Sequence, residues 1–307
     1  MKTGQRYTTQ QNYKYLLKII QESEFGKLQL KSVKASTIKK FYVELKDKGY
    51  SYAVISRLHC HIKQAFAQAV EDDVLRKNPA MFKFKSIIQD DGEKVKGLTN
   101  EEQKKVSDFI QSHGDFRKHC DDYTILLGTG VRISELCGIT IDDVDFQSHS
   151  INIDKQLKRK SDGTLYIERT KTKAGRRQIP MSPQVEIAFK NVIKARKSYD
   201  IEWIVDGVSK FVFLNRDGRP KTATTFDKEF SHIQNAYNQK YHTNLKITPH
   251  VLRHSFCTNM VNSGMNIKSV QYMTGHASAK ILLDVYTDSD PKTVLKEFHE
   301  AVANGYI

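Results

Sequence analysis

Side chains able to work on a phosphate ester gather near the end of this chain, in the stretch Thr248 to Tyr286. It runs TPHVLRHSF, then NSGMNIKSVQYMTGH, then ASAKILLDVYTD. Thr248 and Pro249 read as N-cap and first helical residue, which puts His250 and Arg253 on one face of the opening turns. Gly264 reads as the stop of that helix, Asn266 as the cap of a short second one, and Gly275 as its end just before His276. Tyr286 follows ten residues later. Imidazole, guanidinium and phenol on a compact run of short helices are what attack by a tyrosine hydroxyl on a phosphodiester requires.

That transition state gathers negative charge on non-bridging oxygens, so a second arginine is expected to join Arg253 in a permanently charged clamp. Arg132 fits, at a helix start beside Gly128 and Gly130 in DDYTILLGTGVRISELCGITIDDVDF. A phenol with an ordinary pKa of about 10 needs nearby positive charge and a proton acceptor. His250 is the candidate acceptor, and His276 would hold a phosphate or phenolic oxygen. The departing 5′ oxygen needs a proton, which Lys171 or Lys173 could deliver from the basic turn Arg169 to Arg177. A phosphotyrosyl bond keeps the energy of the bond it replaces, so resealing needs neither ATP nor metal. No cofactor is expected.

Taken singly these residues are ordinary. Arg132 alone is a surface or salt-bridged arginine, and Tyr286 is one of fourteen tyrosines. His250 and His254 form an HxxxH pair, but Val251 stands where a zincin has glutamate and no third ligand is evident, so no metal site is expected. His59-Cys60-His61 lies in a helical run and reads as incidental.

Three amphipathic helices open the chain. Tyr13, Leu16, Leu17 and Ile20 mark the first, which ends near Gly26. Ile38, Phe41, Tyr42 and Leu45 mark a second, opened by Ser36, and Ile55, Leu58, Ile62, Phe66 and Ala69 a third, broken at Asn78-Pro79. Their outer faces carry Lys34, Lys39, Lys40, Lys46, Lys48, Arg57 and Lys63, which could track a DNA backbone or simply be solvated. Residues 1–86 are therefore expected as a helical domain and 87–97 as a linker, within the charged stretch Phe84 to Gly97. The second domain is expected over 98–307, opened by the capping box Thr99 to Glu102.

Within that domain, Ser150 to Leu157, Leu165 to Glu168 and Gln178 to Met181 alternate as strands of one small antiparallel sheet. The cationic turn with Arg176 and Arg177 is expected to face an anion. Ser182-Pro183 opens a helix, Lys210 to Leu214 reads as a strand, and Thr225 as the cap of a helix with Phe226, Phe230, Ile233 and Tyr237. Asp290-Pro291 starts a last helix with Val294, Leu295, Phe298 and Val302. The fold expected is mainly α with a small antiparallel β-sheet.

At 307 residues the chain has room for two cores, and its formal charge of +14 points to nucleic acid. No apolar run approaches a membrane span, and Cys60, Cys120, Cys137 and Cys257 lack disulfide or zinc spacing. A soluble, intracellular protein with no membrane partner is expected.

The joint order is more specific than any of its parts. Arg132 with Glu135 in TGVRISEL, a lysine hairpin, HxxR at His250 and Arg253, GH at His276, and Tyr286 together resemble the tyrosine recombinases, most closely the phage and conjugative-transposon integrases. The resemblance covers roughly Gln10 to Asp290. It implies a two-domain DNA clamp, with a core-binding domain over Thr8 to Met81 and a catalytic domain over Leu98 to Ile307. It implies a site-specific recombinase working through a 3′-phosphotyrosyl intermediate. Arg132 and Arg253 would sit on the scissile phosphate, with His250 as acid/base, His276 as second histidine, Tyr286 as nucleophile and Glu135 as supporting acid. Lys171 matches the hairpin lysine, Lys173 being the alternative. Lys39, Lys40, Arg57, Lys63, Arg176 and Arg177 are the expected DNA contacts.

The same resemblance implies a homotetramer on two duplexes, with the helix around Val294 to Val302 packed in trans, an accessory directionality factor, and a place in the bacterial cytoplasm at the nucleoid. Integrases of this group carry an additional N-terminal domain for arm-type sites. This sequence begins almost at the core-binding region, so that domain is absent by nature or cut away. A type IB topoisomerase and a non-catalytic DNA-binding regulator are the alternatives. The first shares the catalytic logic but swivels one duplex, and the second needs no tyrosine.

Overall fold

The computed structural model describes residues 6–92, 96–170, 175–196 and 202–276. Lys171, Lys173, Tyr286 and the helix expected around Val294 to Val302 lie outside them. The chain divides into two compact units, 1–94 and 95–307.

The first unit is built on α1 (Tyr7–Gln21), α2 (Ala35–Asp47) and α3 (Tyr52–Glu71). Helical spacing puts Ile38, Phe41, Tyr42 and Leu45 of α2 against Ile55, Leu58, Ile62 and Phe66 of α3, all buried. On α1 the inward pair is Leu16 and Ile19. Leu17, expected inside, is 46% exposed because it lies a further 100° or so around the helix. His59 is a core histidine whose Nδ1 lies 3.1 Å from the Tyr42 hydroxyl, and burial holds its pKa below the ordinary value. Phe84 and Ile88 close the same core, so the residues expected as linker from 87 begin inside this unit. Lys46 pairs with Asp91.

The second unit begins with α4 (Asn100–Ser112), whose capping box has both arms: Glu102 N–H donates to Thr99 Oγ1 at 3.2 Å and Thr99 N–H to Glu102 Oε2 at 2.8 Å. Next come α5 (Cys120–Thr129) and the single turn α6 (Ile133–Leu136). Later helices are α7 (Pro183–Ala195), α8 (Ala223–Tyr241), α9 (Pro249–Asn262) and α10 (Ile267–Thr274). Gly130 ends α5 at φ +60°, and any Cβ there would run into the Phe256 ring, so the turn before Arg132 demands glycine twice over. Helix α8 is capped by Thr222, not Thr225, which stands at its third position and completes a capping box.

The expected single sheet is two. β1 (Val144–Asp145), β2 (Ser150–Ile153) and β5 (Arg177–Pro180) form one antiparallel sheet in the order β1-β2-β5, while β3 (Lys155–Arg159) and β4 (Leu165–Arg169) form a separate hairpin. The run Ser150 to Leu157 breaks at Asp154, whose carbonyl accepts from the Thr170 N–H and so leaves the ladder. The expected strand Lys210 to Leu214 makes only isolated bridges at Phe211 and Leu214 among the described residues. One core runs from Leu98 on the entry to α4 through Ile125, Leu136, Ile151, Ile179, Phe189 and Phe226 to Leu252. No helix among the described residues is long and apolar enough to cross a membrane.

Candidate active site

Helix α9 opens as its sequence dictates: Thr248 Oγ1 accepts from the Val251 N–H at 3.2 Å and Pro249 takes the first position. Val251, Leu252, Ser255 and Phe256 are buried, which fixes the roll of the helix and carries Arg253 inward and His250 to the surface. At the far side, Asn266 caps α10 and Gly275 ends it in the left-handed region at φ +64°. That end exposes the last helical carbonyls, which carry the negative pole of the helix.

Three guanidinium groups take three consecutive carbonyls there. Arg177 Nε donates to Met273 O at 2.6 Å, Arg253 Nη2 to Thr274 O at 2.6 Å, and Arg132 Nη2 to Gly275 O at 2.7 Å. Arg253 also donates to Gly130 O at 2.6 Å, tying the glycine turn to α9. Glu135 lies beneath, 1% exposed, accepting from Arg132 Nη1 at 2.9 Å and from both terminal nitrogens of Arg177 at 3.1 and 2.7 Å. Burial by itself would raise this carboxyl, yet Arg177 and Arg132 hold its pKa below the usual value. Among the described residues it is the one carboxylate bonded to any of these three cations, and it reaches only Arg132 and Arg177, so the cluster keeps a positive excess that suits a phosphate.

His276 lies within this cluster. Its Nε2 is 2.9 Å from Arg253 Nη2 and its Nδ1 2.9 Å from Thr274 Oγ1, which itself donates to Val270 O. Burial, then Arg253 and Arg132, push the imidazole down to about 4, so it is neutral at pH 7. With Nδ1–H given to Thr274, the bare Nε2 accepts from Arg253. Arg253 itself, buried and beside Arg132, is brought down to about 10 and stays charged. His250 lies on the open side with its Nε2 3.2 Å from that of His254.

Arg132, Glu135, Arg253 and His276 thus lie together, with His250 on the same helix as Arg253. Arg177, expected as a DNA contact, is instead buried on Glu135 and Met273 O with no exposed side chain, a correction to the expectation for the basic turn. The strand alternation of β5 is the reason, since Arg177 and Ile179 share the inner face while Gln178 and Pro180 point out. That period was visible in RQIP and is the signal that could have found Arg177; nothing in the sequence marked Thr274. Arg176, one residue earlier, is exposed. In the first unit Lys40, Arg57 and Lys63 are exposed, Lys40 lying 3.9 Å from Glu44, and Lys39 is half-buried over the Phe82 ring.

Among the described residues, a separate cluster has metal-ligand chemistry. His119, Asp122 and Glu229 bring donor atoms within 4.8 Å of one another. The Lys221 ammonium already bridges the two carboxylates at 3.3 and 3.0 Å. Burial opposes that charge, but Asp122 and Glu229 hold its pKa above the ordinary value, so it takes the place of a cation.

A helix-rich unit that converges guanidinium and imidazole groups on a helix end is built to hold a phosphate ester. Residues 96–293 match the phage integrase family, and the chain belongs to that family, the tyrosine recombinases, as a DNA strand transferase. The transposase from transposon Tn916 of Enterococcus faecalis is 38% identical over 293 residues, which is 95% of this chain and 72% of that protein. The Tn1549 transposon integrase, solved in complex with a circular intermediate DNA, is 36% identical with a TM-score of 0.91, covering 97% of this chain and 95% of that one. A lambda integrase dimer bound to a core site, at 14% identity and a TM-score of 0.63 over 92% of this chain and 89% of that one, shares the fold. The chain is accordingly a site-specific recombinase of the conjugative-transposon type, not a topoisomerase or a passive regulator.

Proposed function

We propose that this recombinase cuts and rejoins double-stranded DNA at the ends of a mobile element, with Tyr286 carrying the 3′-phosphate in transit. The observation that supports it is the convergence of Arg132, Arg253 and His276 on the carbonyl end of α10, a short distance in sequence before Tyr286. The two arginines clamp the scissile phosphate and neutralise its transition-state charge. His250 takes the phenolic proton as oxygen attacks phosphorus, and Lys171, or Lys173, protonates the departing 5′ oxygen. Glu135 and Arg177 hold Arg132 in place. Rejoining runs the same steps backwards.

The DNA in the Tn1549 integrase complexes, a circular intermediate in one and the transposon right end in another, makes those two the substrates to try first. In this reading the helical unit, with Lys39, Lys40, Arg57 and Lys63, grips the core site, and the second unit does the chemistry. Four copies assemble on two duplexes, the segment around Val294 to Val302 packs in trans, and an accessory factor sets direction in the cytoplasm at the nucleoid. The test uses nicked suicide duplexes tiled from the DNA flanking the gene, without metal or ATP. A protein–DNA adduct is expected from the wild type and none from Tyr286→Phe, which should still bind. An adduct that persists in Tyr286→Phe would refute the assignment.

A further inference from the structure

Two imidazoles meet on α9, and only His250 has been given a task. His254 is one turn on, its Nε2 3.2 Å from that of His250, with ring centroids 4.6 Å apart and planes at 88°. Neighbours four apart on a helix can meet in this way, and here the meeting is held from several sides. Ser255 Oγ donates to Val251 O at 2.9 Å and accepts from the Leu98 N–H at 2.7 Å, and Thr258 Oγ1 donates to His254 O at 3.0 Å. Gly97 lies so near the backbone of His254 and Ser255 that a Cβ there would sit about 3 Å from it, so this turn of α9 is clasped by the segment leading into α4.

The chemistry of the contact is restrictive. A neutral imidazole has one N–H and one lone pair, so two ring nitrogens in contact need one of each. Partial desolvation, with Arg253 nearby and, for His254, His250 as well, holds the pKa of both rings below the ordinary value, so the neutral form prevails at pH 7 even though His250 keeps an open side. Among the described residues, the charged and titratable groups that bear on the pair are Arg253 from α9 and, beyond α10, His276.

We propose that His254 is a positioning residue for His250: His250 donates its Nε2–H to His254 Nε2, which fixes its tautomer and ring plane and leaves Nδ1 bare to take the phenolic proton. This rests on the reading of His250 as the base. In the step, the Tyr286 O–H bond breaks and its proton moves to His250 Nδ1, while the phenolic oxygen bonds phosphorus and the 5′ oxygen leaves with a proton from the hairpin lysine. The imidazolium so formed keeps its hydrogen bond to His254, now charge-assisted and stronger. Resealing returns each proton.

The test follows single-turnover adduct formation on the nicked duplexes between pH 5 and 9, with melting temperatures as the check on folding. His254→Leu is expected to slow cleavage about tenfold, a fraction of the roughly 10²–10⁴-fold that general acid–base catalysis supplies. It should also move the acid limb to lower pH, because the imidazolium loses its acceptor. His254→Gln, whose amide oxygen can stand near the lost Nε2, is expected to restore most of the rate and the limb. In the unbound protein, long-range proton–nitrogen spectra of labelled histidines should show Nε2–H on His250 and a bare Nε2 on His254. The inference is overturned by a wild-type rate and limb in His254→Leu. It is overturned equally by slowing with no limb shift and no rescue by Gln, or by spectra with Nε2–H on both rings. If His250→Ala cleaves as fast as the wild type while Tyr286→Phe is dead, it is the reading of His250 that fails.

Discussion

Arg177 and Glu135 form a closed ion pair in which the two guanidinium prongs each donate to one carboxylate oxygen, Nη1 to Oε1 at 3.1 Å and Nη2 to Oε2 at 2.7 Å, out of contact with solvent. Its second function is to carry Arg132, which shares Oε1 of the same carboxylate. Removing one partner of a buried pair leaves an uncompensated charge, which costs about 3–5 kcal/mol. Arg177→Met is expected to lower stability by that amount in urea unfolding, and Arg177→Lys by less, since a lysine keeps the charge but not the fork that also reaches Met273 O. The double change Arg177→Met with Glu135→Met should recover most of the stability and none of the cleavage, because Arg132 loses its support. A single change costing under about 1 kcal/mol would remove the pair from this role.

Arg132 and Arg253 bind neighbouring carbonyls but differ in burial, the Arg132 side chain being 37% exposed while Arg253 is a buried residue. Arg132→Ala, whose bonds to Gly275 O and Glu135 are only part-buried, is expected to lower melting less than Arg253→Ala and to slow adduct formation about 10²–10³-fold, the effect of losing one transition-state donor. Arg253→Ala should do both kinds of damage, since Gly130 O and Thr274 O lose their donor, at about 1–3 kcal/mol for each carbonyl left buried and unpaired. Melting and single-turnover adduct yields measured on the same samples separate the two. Equal stability losses would contradict the burial argument.

The order of motifs made the fold class and most of the site legible, because capping and helical spacing are local. Thr99 with Glu102, and Thr248 with Pro249, state their helices outright. What the sequence hid was set by tertiary contact. Arg177 lies in a run of cations whose common reading is a solvated or DNA-facing turn; the period of RQIP puts it on one face with Ile179, and the pairing of β5 with β2 is what makes that face the inner one. The break at Asp154 arises from a hydrogen bond to Thr170, sixteen residues on, which no strand pattern predicts. Leu17 is apolar and faces out, so hydrophobicity without its exact angle on α1 misplaced it.

Acid should unfold the second unit earlier than its carboxylates alone would dictate. His276 binds a proton at about pH 4 when folded, against an ordinary 6.5 once unfolded, so the unfolded chain takes up protons first as pH falls. The stabilisation is therefore complete above about pH 6.5 and is lost progressively towards pH 4, amounting to about 1–3 kcal/mol. His250 and His254, also depressed, add in the same sense. Glu135 acts in the same direction at lower pH, because its folded pKa is below the unfolded one and its contribution goes as it protonates. Urea midpoints between pH 7.5 and 5 should fall in the wild type and fall less in His276→Gln. A flat wild-type profile would contradict the burial of His276.

Salt dependence distinguishes cations that meet DNA from those the fold has taken for itself. Each phosphate contact contributes about 0.9 to the slope of log affinity against log salt, whatever the sequence bound. Arg57 and Lys63 are exposed on the outer side of α3, and Arg176 is exposed just before β5. Changing each to glutamine should lower the slope by about 0.9 with little effect on melting. Lys40 should give less, because Glu44 at 3.9 Å already competes for it, and Lys39 less again where its ammonium lies over Phe82. Arg177→Gln should reverse the pattern, lowering the melting temperature sharply through Glu135 while the slope measured on the surviving folded protein stays that of the wild type. Binding titrations of one duplex from 50 to 300 mM salt decide it. Should Arg57, Lys63 and Arg176 all leave the slope untouched, the DNA lies on another face of both units.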